Sequence, residues 1–319
     1  DMMDIVRRNL FMYYFIVNPN SRSGKGAEIW KQIQEVLNSQ GVSYKSYFTG
    51  YRGHAVSLAA QITGEAVSPV TLVAVGGDGT IQEVLTGIQD LSSVYFGYIP
   101  TGSGNDFCRG MKLPQDPLEA LDILLHHHDI LKIDVPCIFY KKTRSRFAIS
   151  CGMGFDAAVC HEVGITPMKK ILNRFGLGKL VYLFVALKQL LFLNPSQVSV
   201  NMDGNSETWS KVYFIAVMNQ KYEGGGFKFC PNASSSDGML DVIVVEGLSK
   251  LKVLFCLPTA FFGRHTRFRG IHIYQCRDIS VESAVPLAIH KDGESGGIHT
   301  TFSVSMEPEQ IQMIVPDSK

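Results

Sequence analysis

The chain has almost no net charge, no apolar run long enough to cross a membrane, and no closely paired cysteines. Lys+Arg 30 against Asp+Glu 29 leaves a formal charge of +1. Proteins that coat nucleic-acid phosphates carry a clear basic excess, so a nucleic-acid binder is excluded. The longest greasy stretch, Leu180 to Leu193, falls short of the roughly 20 residues of a membrane span, and Lys188-Gln189 interrupts it. The first residues, Asp1-Met2-Met3-Asp4 and then Arg7-Arg8, contain no long apolar core, so no secretory signal is expected. The cysteines (Cys108, Cys137, Cys151, Cys160, Cys230, Cys256, Cys276) are odd in number and form no C-x-x-C pair. That pattern fits buried thiols in a reducing cytosol better than a disulfide scaffold or a zinc ribbon. The expectation is a cytoplasmic protein that at most visits a membrane surface.

What is present can build real cores. Hydrophobic residues make up 45% of 319 residues, which suits two domains. In the first part, Tyr13–Val17, Val42–Phe48, Val70–Val75 and Val94–Ile99 read as strands. Between and after them, Gly26–Asn38, His54–Ile62, Thr80–Ile88 and Asp116–His127 read as helices. Such alternation predicts a parallel sheet covered by helices. From about Ile130 the texture changes to short β-type runs: Leu131–Tyr140, Arg146–Cys151, Gln197–Met202, Val212–Met218, Leu240–Val245, Ile271–Tyr274, Ile279–Val281, Thr300–Ser305 and Ile311–Val315. Helical patterns at Lys179–Phe192 and Lys250–Phe261 interrupt them. This part predicts a mainly antiparallel sandwich or barrel.

The 30 glycines show where chemistry is expected. Gly76-Gly77-Asp78-Gly79-Thr80 follows an apolar strand and opens a helix. Glycine lets backbone approach a ligand, and a helix N-terminus offers unpaired N–H groups, so this is a phosphate cradle. Asp78 inside it would repel phosphate unless a cation intervenes, which points to Mg²⁺. The alternative is a tight turn without a ligand. No G-K-[ST] follows, so this is not a Walker loop. Two more glycine turns, Ser23-Gly24-Lys25-Gly26 and Thr101-Gly102-Ser103-Gly104, also follow strands, where open α/β sheets bind ligands. Gly152-Met153-Gly154-Phe155-Asp156-Ala157 matches G-x-G-x-x-A, but no acid lies between Val163 and Met202, so it fails as a dinucleotide fingerprint.

With these loops in view, the chain resembles the soluble diacylglycerol kinase catalytic-domain family, related to sphingosine and ceramide kinases. The likeness is carried by Asn18-Pro19 with Ser23-Gly24, by GGDGT with Glu83, and by PTGSGNDF with Arg109. It continues through Gly152–Asp156, Gly224-Gly225-Gly226, Asp237-Gly238-Met239-Leu240-Asp241 and Asp292-Gly293-Glu294. GGDGT alone is shared with NAD kinases. The resemblance implies an α/β ATP-binding domain over residues 1–133 and a β-rich lipid-substrate domain over 134–319, with the last ten or so residues returning to the first. It implies a cleft between them and transfer of the ATP γ-phosphate, with Mg²⁺, to a lipid hydroxyl, most readily that of diacylglycerol.

The resemblance also implies residue roles. Asn18, Ser23, Gly24, Thr49, Gly76, Gly77, Asp78, Gly79, Thr80, Ile81, Gln82 and Ser103 would contact the nucleotide, with Lys25 the basic partner of its phosphates. Asp78 and Asp134 would reach a catalytic Mg²⁺ through water, and Asp292 or Glu294 would accept the hydroxyl proton. Asp237, with Ser234 and Met239, would hold a structural Mg²⁺. Two residues more than the common N-P-x-S-G form separate Asn18-Pro19 from Ser23-Gly24, so either Ser21 or Ser23 meets the phosphate.

Some features read as ordinary surface. His126-His127-His128 cannot share one ion on a helix and marks a solvated helix end. Lys141–Arg146 reads as a wet hairpin tip. Residues 163–202 hold five basic residues and no acid, and Gly263–Arg269 is a second basic loop. Both are expected to dock the β-rich domain reversibly on an anionic bilayer, the alternative being a core helix with snorkelling lysines. An NAD kinase and a non-catalytic lipid-binding protein are the rival readings, and a homodimer is compatible with all of them.

Overall fold

A computed structural model describes residues 12–66, 69–165, 185 and 188–317. The chain divides into two compact units, residues 1–135 with 307–319, and residues 136–306.

The first unit is built on a six-stranded sheet of order β2-β1-β3-β4-β15-β5. Strands β1 (Tyr13–Val17), β2 (Tyr44–Phe48), β3 (Val70–Gly76) and β4 (Val94–Pro100) are parallel. β3 is buried at every residue, as a central strand covered on both faces must be. Helices α1 (Gly26–Ser39) and α5 (Pro117–His126) cover one face, where Trp30, Ile33, Leu37, Leu121 and Leu124 meet Phe15, Val73 and Ile99. Helices α2 (His54–Glu65) and α3 (Asp78–Gly87) pack together and against β1 and β3. A short α4 (Asp106–Met111), absent from the sequence reading, follows the third glycine turn.

Leu131–Tyr140, read as one β run, is two strands in two sheets. β5 (His128–Ile133) pairs antiparallel with β15 (Ile311–Pro316) in the first unit, and β6 (Pro136–Tyr140) opens the second. The two residues Asp134 and Val135, outside either strand, and then Pro136, which lacks a ladder donor, separate them. β15 also runs parallel to β4, so a strand from residues 311–316 completes the first sheet.

The second unit is a nine-stranded antiparallel sheet folded over on itself. It contains β7 (Thr143–Arg146), β8 (Ser150–Gly154), β9 (Ser196–Met202), β10 (Asn205–Met218), β11 (Leu240–Glu246), β12 (Ile271–Cys276), β13 (Asp278–Lys291) and β14 (Glu294–Met306) besides β6. The run read as Arg146–Cys151 is split here between β7 and β8. β10 pairs β9 with its first half and β8 and β11 with its second, across an irregularity between Trp209 and Val212. β13 likewise pairs β9 early and β8 late. Two long bent strands thus serve both layers, a way sandwiches turn corners. Met153, Ile215, Val217, Val242 and Val244 point into the core between the layers. The alternate residues Phe214, Ala216, Ile243 and Val245 face outward, where α6 (Phe155–Ile165) and α7 (Lys250–Ala260) cover them. The helical pattern at Lys179–Phe192 lies mostly outside the described residues; residues 188–192 are helical.

Candidate functional site

In the first unit the three glycine turns are tied to one another at the C-terminal ends of β1, β3 and β4. Asn18 Nδ2 donates to Thr80 Oγ1 at 3.4 Å, and the Ser21 and Thr101 hydroxyls bond at 2.6 Å. The N–H groups of Thr101 and Gly102 and the Tyr98 hydroxyl all donate to the Gly76 carbonyl. A Cβ at Gly102 would stand 2.6 Å from the Gly77 Cα, so only glycine allows these two backbones to touch. The result is a side-chain-free surface of the kind a polyphosphate needs.

Asp78 lies at the start of α3, and its carboxylate accepts the N–H groups of Asp106 at 3.1 Å and Phe107 at 3.4 Å. Those donors open α4, so two helix N-termini meet one carboxylate, a favourable electrostatic arrangement. Asp106 pairs in turn with Arg109. Glu83 accepts from Gly53 and Ala55 and thereby satisfies the first turn of α2, a structural role. Lys25 and Ser103 are exposed, and Thr49 is buried beside β1, its N–H donating to the Val17 carbonyl. Ile81 and Gln82 are buried within α3, and Gln82 Nε2 donates to Thr86. Ser21 is buried and committed to Thr101. Ser23 lies in a helical turn with Gly24, and its side chain is outside the described residues. Asp134 is buried at the end of β5, where it accepts from Gln310 Nε2 at 2.9 Å. Together these residues fit a nucleotide with its cation: a bare glycine surface, one acid held among amides, and an exposed lysine.

In the second unit, Asp237 forms a turn, accepting from the Met239 N–H at 3.1 Å, with Ser234 close by in the same loop. The turn precedes Asp241, which the sequence reading did not single out as a site residue. Burial, then the Asp237 charge, pushes the Asp241 carboxyl up to about 6 despite a bond from Gln275. Asp241 Oδ2 is buried with no hydrogen-bond partner. An orphaned oxygen beside a second carboxylate is the electrostatic setting that a divalent cation relieves, so these residues fit the structural Mg²⁺.

The turn between β13 and β14 separates the two candidate bases. The Asp292 carboxylate is buried and accepts three backbone N–H bonds, from Ala148 at 2.7 Å, Ile149 at 2.8 Å and Ser150 at 2.9 Å. Burial pushes it up to about 6, against the pull of those amides and of His290. Glu294, two residues on, is exposed at the start of β14.

Next to this turn lies a buried cluster that sequence reading missed. His290 is fully buried; its Nε2 donates to Asp156 Oδ2 at 2.9 Å and lies 3.3 Å from Glu223 Oε1. Burial disfavours its charged form, but Glu223, Asp156 and Asp292 outweigh burial and raise it to about 9. The imidazolium thus sits against two carboxylates and offsets their charge. A Cβ at Gly152 would fall 2.8 Å from Asp156 Oδ2 and 2.9 Å from His290 Nε2. The glycine that fails as a dinucleotide fingerprint therefore makes room for this pair, and a glycine inside a strand was the available signal.

Because His290 is raised from its ordinary 6.5, its stabilisation is complete below that pH and lost as pH rises through about 9. The chain is expected to lose on the order of 3 kcal/mol between pH 6.5 and 9.5. Urea midpoints across that range should show the slope in the natural chain. They should show it largely gone in His290→Gln, which is less stable at neutral pH; an unchanged slope would place the titration elsewhere.

The comparisons with known proteins agree with this geometry. Residues 12–137 match the diacylglycerol kinase catalytic domain, and residues 150–315 match the YegS C-terminal NAD kinase beta sandwich-like domain. A Bacillus subtilis protein named "Putative lipid kinase YtlR" is 28% identical over 313 residues, covering 94% of this chain and 98% of its own. A diacylglycerol kinase of Staphylococcus saprophyticus is 27% identical, covering 88% of each chain. The crystal structure of a "putative diacylglycerol kinase" from Bacillus anthracis superposes with a TM-score of 0.74 at 19% identity, over 96% of this chain and 95% of that one. The paired α/β and β-rich units, the glycine turns around Asp78 and the D-G-E turn all occur in one chain. That chain is a kinase of the soluble diacylglycerol kinase catalytic-domain family.

Proposed function

We propose that the chain is an ATP- and Mg²⁺-dependent lipid kinase that phosphorylates diacylglycerol to phosphatidic acid. The observation that carries this reading is the joining of three glycine turns around Asp78. In phosphoryl transfer the protein mainly positions groups and neutralises charge. Asn18, Ser23, Gly24, Thr49, Ser103 and the Gly76–Gln82 backbone hold the nucleotide, and Lys25 pairs with its phosphates. Because Ile81 and Gln82 are buried, they shape the cradle from behind. Asp78 and Asp134 would hold the catalytic Mg²⁺, and Asp237 with Ser234, Met239 and Asp241 would hold the structural one. When bound, the catalytic ion offsets charge on the transferring phosphoryl group.

Glu294 is the base in this reading: its carboxylate takes the proton of the lipid hydroxyl as that oxygen attacks. Asp292, saturated by three amides, fixes the turn that carries it. No helix among the described residues is long and apolar enough to cross a membrane. We place the enzyme in the cytoplasm, reversibly at a bilayer surface; a homodimer is compatible with this reading.

Radiolabelled ATP offered in parallel with diacylglycerol, other lipid alcohols and NAD tests the assignment. Label is expected in phosphatidic acid. Label in NAD, or in a different lipid alcohol alone, would overturn the substrate.

A further inference from the structure

Helix α7 has two apolar faces. Val253, Cys256 and Ala260 are buried against the sheet, as expected of a covering helix. On the opposite side Leu251, Phe255 and Phe262 recur at helical spacing and stand open to solvent, Phe255 at 72% and Phe262 at 74% exposure. Phe262 belongs to the turn that continues the helix, closed by its N–H to the Thr259 carbonyl. The Lys250 ammonium donates to the Leu191 carbonyl, which brings Leu191 and Phe192, the latter 75% exposed, to the start of the same helix. Isolated exposed apolar residues are ordinary, but a helix that is apolar all round needs a second apolar neighbour.

The charges around this face state what that neighbour is. From Gly247 to Cys276 the chain has no Asp or Glu but carries Lys250, Lys252, Arg264, Arg267 and Arg269. A second copy meeting this face symmetrically would set cations against cations. The chain's own residues 166–184 fare no better, since they bring Lys169, Lys170, Arg174 and Lys179 without an acid. An anionic bilayer matches both properties, accepting aromatic and leucine side chains below the headgroups and cations among them.

We propose that the outer face of α7, with Leu191, Phe192 and the Arg264–Arg269 loop at its margin, docks this enzyme on anionic lipid bilayers. The surface differs from the cradle and the D-G-E turn, and it rests on the lipid-kinase reading only for its purpose, delivering the enzyme to where its acceptor dissolves. The sequence marks Lys250–Phe261 only as helical; the burial of one face and exposure of the other come from the fold.

Sedimentation of the full chain with phosphatidylcholine vesicles, and with vesicles one-quarter phosphatidylglycerol, tests it without ATP. Binding to the anionic vesicles is expected to be at least tenfold stronger and to weaken with salt. Phe255→Ser/Phe262→Ser and Arg264→Gln/Arg267→Gln/Arg269→Gln should each lose tenfold or more. Both variants should retain wild-type turnover on short-chain diacylglycerol dispersed in detergent, which shows that they fold. Equal binding to both vesicle types, or unaltered binding by both variants, would overturn the proposal. So would a dimer in gel filtration that Phe255→Ser/Phe262→Ser converts to monomer. Patch-dependent binding without phosphoryl transfer to any lipid would sink the kinase reading and leave the docking surface standing.

Discussion

Asp78→Asn is expected to lower phosphoryl transfer by on the order of 10³-fold or more while leaving a folded protein. The reason lies in the two jobs of this carboxylate. It anchors the start of α4 through the N–H groups of Asp106 and Phe107, and in the proposed function it would supply negative charge that holds the cation. An asparagine oxygen still accepts one of those N–H bonds, so the stability loss should stay near ~1 kcal/mol. The charge has no substitute, and the nucleotide phosphates would face the glycine surface without a correctly held counter-ion. Single-turnover kinetics beside urea denaturation separates the two effects. Near-normal turnover would remove Asp78 from the chemistry, and gross unfolding would make its role architectural.

Glu294→Gln and Asp292→Asn should fail in opposite ways. Glu294 is exposed and opens β14, so its amide should alter stability by less than about 0.5 kcal/mol. If it receives the lipid proton, turnover should drop by roughly 10²–10⁴-fold. Asp292 is buried, and its two oxygens accept from Ala148, Ile149 and Ser150. An amide there turns an NH₂ group against at least one backbone donor, costing about 2–3 kcal/mol. Backbone strain does not confuse the test, because Asp292 has φ +44° and asparagine tolerates that region as well as aspartate. Urea midpoints and steady-state rates on both variants decide it. A stable but inactive Asp292→Asn beside an active Glu294→Gln would exchange the two roles.

Much of the α/β architecture was legible because it is written in local chain chemistry. Val70–Val75 is apolar but for Thr71 and precedes two glycines and a helix; strand, phosphate-type turn and helix start are each encoded within a few residues. The turns after β1 and β4 are equally local, which is why Asn18, Gly77, Asp78 and Gly102 could be marked before their contacts were seen. The mostly antiparallel character of residues 136–306 was readable from short alternating runs. The bending of β10 and β13 through both layers was not, since it depends on which distant strand each half meets.

The chemistry of the second unit was less accessible. Asp292 and Glu294 are neighbours in sequence with the same functional group, and only burial beneath three amides distinguishes them. Asp156 and His290 are 134 residues apart and meet because β8 and β13 pair beside α6. α7 carries apolar residues around its whole circumference, a pattern that suits a core helix equally well. The sequence by itself determined the family, the strand–helix alternation of the first unit and the places of its glycine turns, because those depend on residue type at close spacing. Which carboxylate is buried, which histidine is held charged and which helix face is left to solvent were decided by the tertiary structure, because desolvation and long-range pairing exist only in the folded chain.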